Sequence, residues 1–284
     1  YKVGLHRYKP TPIENLVSDL NRTKDELLYE RLMQNAQTLL KNNTSILPIK
    51  DLKLQKIAYL PMGDVTGDVF YKTLEKYTAI KKIESQNLDT VLTQLKAFST
   101  VIIGFHKSDE SPWKAYEFSN KELDWLQEIA RKHKVILTIF AKPYALNSVK
   151  SFLNIESVLL AYQNHEISQR IAAQIIFGAL PTKGKLPVSI NDSPYKVGFG
   201  VENPSVGRLA YGAAEAVGMS SKRLMKLDSM AQLSIDNQMT PGLQLLVARK
   251  GKVVYHKSFG HHNYDKTRKV ATTDLYDVAS LTKI

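Results

Sequence analysis

Cysteine is missing altogether from the 284 residues. Its absence excludes disulfides, thiolate metal sites and cysteine nucleophiles. It leaves the compartment open, because a large core needs no covalent staples. Long apolar runs are missing as well: nothing approaches the roughly 18 consecutive apolar residues of a membrane-spanning helix, so no transmembrane segment is expected. The sequence shows no internal repeat and no low-complexity tract. An initiator methionine is also lacking, since the chain opens Tyr1-Lys2-Val3. That opening is compatible with a removed signal peptide or with a start further upstream.

What remains is the composition of a soluble globular protein, 43% hydrophobic and 23% charged, enough to bury a sizeable core. The formal net charge is +12. The excess is spread along the chain, with 28 basic and 21 acidic residues in 1–210 and 11 basic and 6 acidic in 211–284. Local runs such as Lys81-Lys82 and Arg249-Lys250-Gly251-Lys252 are short and fall at strand edges or turns. They read as a solvated lysine-rich surface rather than a phosphate track, so no nucleic-acid partner is expected. Attraction to an anionic wall or membrane is a weaker alternative.

The hydrophobic pattern gives the architecture. Residues 1–22 lack a clear period. Thr23-Lys24-Asp25-Glu26 has the form of a capping box, and the helix after it places Leu28, Leu32, Ala36, Leu39 and Leu40 on one face. Strand-length apolar runs follow at 56–62, 78–83, 100–105, 135–140 and 155–161. Between and after them come helical patterns at 68–77, 88–97, near Pro143 and 166–179, and one opened by a second capping box, Ser119 to Glu122. This alternation predicts an α/β fold, a five-stranded, mostly parallel, doubly wound sandwich of flavodoxin-like or Rossmann-like type. Ile57, Val101, Ile102, Ile136, Leu137, Val158 and Leu159 are expected in one core. A glycine- and proline-bearing linker spans 203–218. A partial α+β segment follows, with a helix after Ser220, a break at Pro241-Gly242 and a hairpin turning at Lys250-Gly251.

Chemistry-bearing residues are sparse. In a doubly wound sheet, ligands bind beyond the carboxyl ends of the strands. There, Met62-Gly-Asp-Val-Thr-Gly67 lacks the Lys-Ser/Thr of a phosphate loop, so a tight turn is favoured over a nucleotide cradle. The long loop 106–118 carries His106, Asp109, Glu110 and Trp113. Glycoside hydrolysis needs two carboxylates about the scissile bond, so Asp109 or Glu110 could reach over a neighbouring sugar site; the alternative is a solvated loop. His165-Glu166 reads as a helix start. The adjacent His261-His262 point apart and lack a third ligand, so no metal and no cofactor is expected. Ser280-Leu-Thr-Lys283 is the strongest chemical motif. At a helix start it returns the amine to the hydroxyl's face one turn on, where a desolvated lysine activates the serine. The bare spacing also occurs at Ser111–Lys114 and Ser193–Lys196, and a plain helix cap is the alternative reading.

Two resemblances add to this. Leu39-Leu-Lys-Asn42 with Ile46-Leu-Pro-Ile49, then Phe177-Gly178-Ala-Leu-Pro181 with Gly184-Lys-Leu-Pro-Val188, resemble the carboxy-terminal α/β domain of glycoside hydrolase family 3, nearest its bacterial β-N-acetylglucosaminidases. The resemblance implies that 1–22 leave an upstream (β/α)₈ barrel holding the Asp nucleophile and, in that branch, a His–Asp acid/base pair. Other branches take the acid/base from the α/β domain, which keeps Glu110 as a candidate. From about 219, Thr240-Pro-Gly242, Tyr276-Asp-Val-Ala-Ser280 and Lys283 are similar to the serine β-lactamase and penicillin-binding family, in its class C and esterase-like branch. This implies Ser280 as nucleophile and Lys283 as its activator, with the family's later elements lying past Ile284. The expected organisation is therefore an exit arm (1–22), an α/β domain (23–202), a linker (203–218) and the opening of a serine hydrolase domain (219–284). The expected parent is a bifunctional hydrolase of cell-wall sugar and peptide chemistry, periplasmic or secreted, with a glycan or cell-wall fragment as substrate and the chain itself inactive. The alternative is a glycan-binding or purely structural α/β module spacing two enzymes.

Overall fold

The computed structural model describes residues 2–4, 6, 7, 10, 13–111, 113–277 and 279. Two helices, α1 (Leu16–Leu20) and α2 (Thr23–Ala36), precede an alternating region. Its elements are β1 (Thr38–Asn42), β2 (Ile57–Gly63), α3 (Asp68–Leu74), β3 (Ile80–Lys82), α4 (Leu88–Leu95), β4 (Thr100–His106), α5 (Asn120–Lys132), β5 (Lys134–Phe140), a 3-10 turn (Pro143–Ser148), β6 (Ile155–Leu160) and α6 (Glu166–Ile176). They build one six-stranded sheet in the order β1-β6-β5-β4-β2-β3, parallel except for β1, which runs antiparallel along β6. Counted among themselves, the five parallel strands lie in the flavodoxin-like order 2-1-3-4-5, with the winding reversing between β2 and β4.

Burial explains the apolar runs. Every residue of β4 is buried, because helices cover both faces of the sheet. Successive side chains point to opposite faces. Val101, Leu137 and Val158 therefore join α4 and α5 on one face, while Ile57, Ile102, Ile136 and Leu159 join α3 and α6 on the other. All seven are at most 1% exposed, but they divide between two cores rather than sharing one. Each such burial is worth roughly 1.5–3 kcal/mol relative to exposure.

The sixth strand corrects the sequence reading. Leu39 and Leu40 do not extend the first long helix. It ends at Ala36, and in β1 Leu39 faces the α6 core while Leu40 faces the opposite one. Adjacent residues can be buried on opposite sides only in a strand. Leu28 and Leu32, read as inward, are 50% and 55% exposed; Tyr29 and Met33 pack inward instead. The first capping box is not formed. Thr23 is already helical and Arg22 precedes it without a side-chain cap, pairing instead with Asp25 at 2.7 Å. The second is formed in full, Ser119 and Glu122 each accepting from the other's backbone. The segment after Pro143 is a 3-10 turn, and α6 stops at Ile176, before Gly178 at φ +69°.

Beyond the large sheet come β7 (Ala210–Tyr211), a 3-10 turn (Ala214–Val217), α7 (Ser221–Leu224), α8 (Lys226–Asp236), β8 (Gly242–Arg249) and β9 (Lys252–Gly260). Ser220 caps α7 by accepting from Arg223 N. β8 and β9 form the expected hairpin, with Lys250 and Gly251 both at positive φ (51° and 72°), the backbone a two-residue turn between twisted strands requires. Residues 203–218 run as a strap between the two units. Arg208 donates to the carbonyls of Ile49 (2.6 Å) and Phe177 (2.7 Å), and Tyr77 Oη donates to Leu209 O (3.1 Å). Tyr211 N donates to Gln174 Oε1 (2.7 Å), while Ala210 and Tyr211 pair in parallel with Lys252 and Val253 of β9. Lys252 Nζ, in turn, lies 3.2 Å from Glu30 of α2.

Candidate functional site

The carboxyl ends of the parallel strands, where β2 and β4 diverge, carry a buried polar cluster. His106 closes β4 and is wholly buried. Asn164, in the loop after β6, donates through Nδ2 to Thr66 O (3.2 Å), which fixes its Oδ1 as an acceptor. That oxygen accepts hydrogen bonds from His106 Nδ1 (2.6 Å) and from Gln169 Nε2 (3.0 Å). The imidazole therefore holds its proton on Nδ1, and Nε2 accepts from Tyr59 Oη at 2.9 Å. Gln169 extends the chain of bonds by accepting from Phe70 N at 3.0 Å. The ring stacks on Phe140, centroids 4.4 Å apart. Burial pushes the His106 pKa down to about 4, against the weaker upward pull of its bond to Asn164. The same burial raises the Tyr59 hydroxyl.

These side chains fill the crevice that the strand order creates. A Cβ at Gly67 would sit 2.2 Å from His106 Nε2 and 2.4 Å from Tyr59 Oη, and one at Gly63 (φ +108°) 1.8 Å from His106 O. The loop 62–67 folds onto β4 in consequence: Asp64 N donates to His106 O, and Asp64 Oδ1 accepts from Ser108 N, both at 3.0 Å. The His–Tyr–Asn–Gln cluster is thus packed polar core, with every ring nitrogen engaged.

Outward from it, the loop 106–118 leaves the surface. Glu110 has a side chain 79% exposed and pairs with Lys114 Nζ at 2.9 Å. The hydrogen bond and charge of Lys114 hold its carboxyl below the ordinary carboxylate value. Trp113 is 92% exposed. The loop's root is fixed by Lys107, whose ammonium lies 3.7 Å from Glu122 of α5. The negative charge of Asp109 adds to burial in raising the Tyr29 hydroxyl. Tyr29 meets His165 edge to face (5.0 Å) in a cleft of about 370 Å³ bordered also by Arg22, Glu166 and Arg170. His165 Nδ1 accepts from Ile167 N at the start of α6, so this imidazole serves the helix end.

Ser280 and Lys283 lie outside the described residues. The chain leading to them is anchored on Asp274, which accepts from Ala271 N and His262 Nε2, both at 2.7 Å, and pairs with Arg268. Gln244 of β8 donates to the carbonyls of Ala271 and Asp274. His262 is thereby committed to Asp274, and among the described residues no three His, Asp or Glu side chains gather as a metal site. Of the other two Ser-x-x-Lys spacings, Lys114 belongs to Glu110, and Ser193 Oγ donates to Ile190 O in a surface turn. Reading along the chain missed Tyr59, Asn164 and Gln169. The available signal was a histidine ending the continuous apolar run of β4, where a buried ring must find partners.

Comparison with known proteins fits this architecture. Residues 37–222 match the family described as Glycosyl hydrolase family 3 C-terminal domain, and residues 227–284 match the family described as Beta-lactamase. No curated protein matches the chain significantly. Among solved structures, a β-glucosidase from Listeria innocua is similar over 66% of this chain and 35% of its own (13% identity, TM-score 0.53). A β-glucoside phosphorylase is similar over 65% and 35% (16% identity, TM-score 0.53). A fungal multi-domain family 3 β-N-acetylglucosaminidase is similar over 88% and 29% (17% identity, TM-score 0.50). At these identities the likeness is one of fold, and the chain spans about a third or less of each structure.

Proposed function

The chain belongs to glycosyl hydrolase family 3, as a carrier of its C-terminal domain, and from that premise we propose that it is the accessory α/β domain of a β-N-acetylglucosaminidase joined to the opening of a serine β-lactamase-like hydrolase. In this reading an upstream (β/α)₈ barrel supplies the nucleophile and the acid/base, and the substrate is a glycan or cell-wall fragment handled in the periplasm or outside the cell. The observation that carries it is the state of Glu110. A general acid at neutral pH needs a raised pKa, whereas Lys114 and full solvation keep this carboxylate ionised. That favours a branch whose acid/base comes from the barrel over one that draws it from this domain. The 284-residue chain is therefore expected to leave an aryl β-N-acetylglucosaminide uncleaved. Turnover that survives purification and vanishes in Glu110→Gln would overturn the reading and make the long loop catalytic.

Ser280 and Lys283 are proposed as nucleophile and activating base of the serine hydrolase. The chemistry requires a lysine that has lost its proton, and an ammonium in water keeps a pKa of ~10.4, which burial or a neighbouring cation lowers. Burial of that kind would come from the family's later elements. The 284-residue chain is accordingly expected to show no adduct with a fluorescent penicillin by intact-mass spectrometry. A stoichiometric adduct lost in Ser280→Ala would show that the opening segment alone builds a working site. A second reading, in which the α/β domain spaces two enzymes, is favoured by the strap at 203–218, which is bonded to both units. Binding of N-acetylglucosamine oligomers to the chain would count against pure spacing.

A further inference from the structure

Between the α/β domain and the hairpin β8–β9 runs a groove made of two adjoining hollows, of about 420 and 740 Å³, that share Lys76, Tyr211, His256 and Thr272 on their walls. Arg170, projecting from α6, lines the first. Lys76 Nζ sits 4.6 Å above the ring of Tyr211, and the Arg170 guanidinium is close enough to disfavour its charge, on top of the larger effect of burial. Neither cation is ion-paired to a carboxylate among the described residues. Glu26 lines the first hollow and Glu75 the second. Glu30, the nearby acid of α2, is taken by Lys252.

Two like charges on the wall of one hollow, neither held in an ion pair among the described residues although Glu26 shares that wall, repel one another and lose solvation where they are part-buried. A protein that gathers them at a seam gains when an anion enters. We propose that this seam is a binding site for a phosphate group, free or carried on a small polar molecule, held between Lys76 and Arg170. The planar guanidinium suits two oxygens of a tetrahedral oxyanion, and the ammonium a third. Thr272 and His256 line the opposite wall, His256 with its Nε2 already 3.4 Å from Gln244 Oε1. Because its walls come from both units, the ligand would bridge them: Lys76 and Arg170 belong to the α/β domain, Tyr211 to the strap, and His256 and Thr272 to the β-lactamase-like segment. The proposal stands apart from either hydrolytic activity.

The test is titration of the full 284-residue chain with inorganic phosphate, glucose 6-phosphate and sodium chloride at matched ionic strength, followed by ¹H–¹⁵N spectra. Saturable shifts are expected at Tyr211, Gly212, Val254 and Thr272 with either phosphate, and none of comparable size with chloride. Whichever phosphate binds more tightly identifies the source of the group. Lys76→Gln and Arg170→Gln, each checked for an unchanged fold by circular dichroism, should weaken binding about tenfold, the effect of losing one charge-assisted contact. Shifts reproduced by chloride, shifts that never saturate, or folded variants that bind phosphate as tightly as the unsubstituted chain would overturn the site.

Discussion

His106 shows what one buried titratable residue imposes on the whole. Its pKa of about 4 in the folded chain lies below the ~6.5 of an unfolded histidine. Between these values the unfolded state binds the extra proton, so stability rises with pH across that window and is lost as pH falls from about 6.5 to 4. For a fully buried ring the loss amounts to about 3 kcal/mol, and none of it remains to be lost below the folded value. Urea denaturation at pH 7 and pH 4.5 should show this difference, and His106→Phe should remove most of the histidine's share of it. The substitution itself should destabilise at pH 7, because Tyr59 and the Asn164 oxygen each lose a partner at about 1–3 kcal/mol. A variant with an unchanged pH slope would contradict the assignment of a neutral, Nδ1-protonated ring.

At the scale of elements, α5 is the helix whose start is written most explicitly. Ser119 and Glu122 cap each other's backbone, and Glu122 also meets Lys107 at the root of the long loop. Ser119→Ala should cost about 1 kcal/mol of stability, measured as a shift in the urea midpoint with unchanged slope. The parallel strands were legible for a physical reason: β4 and β5, buried on both faces, need almost unbroken apolar runs and leave little else for TVIIGF and VILTIF to be. β1 was not legible. Leu39 and Leu40 continue the helical spacing of α2, and only the arrival of β6, more than 110 residues later in the chain, makes an extended backbone worthwhile at Thr38. The site divides the same way. Glu110 could be found because a long loop with carboxylates is visible locally. The partners of His106 lie 47 and 58 positions away, one inside β2 and the other in the loop after β6, and no spacing rule connects them.

For the whole molecule, the strap decides how the two units behave together. Arg208 satisfies two backbone carbonyls of the α/β domain at once. Hydrogen bonds to a charged group contribute about 1.5–3 kcal/mol, so Arg208→Ala should loosen residues 203–218 without unfolding the large sheet. Digestion with a protease specific for glutamate should then cut after Glu202 or Glu215 markedly faster in the variant than in the parent chain. Equal rates would mean that the strap is held elsewhere.

The pairing of β7 with β9 also matters to anyone wishing to separate the units. A recombinant piece beginning at 219 or 227 would leave Tyr211 and Ala210 behind and strip β9 of its parallel neighbour. Lys252 would lose Glu30 in the same cut. The freed backbone donors and acceptors of β9 would form an open edge, the kind of surface along which strands of different molecules join. A piece beginning at Gly207 keeps β7 on β9 and should self-associate less than the shorter one, a difference that light scattering at equal concentration would reveal. The boundary between the two family matches thus lies earlier in space than it does in sequence, since the second unit's sheet begins inside the connection.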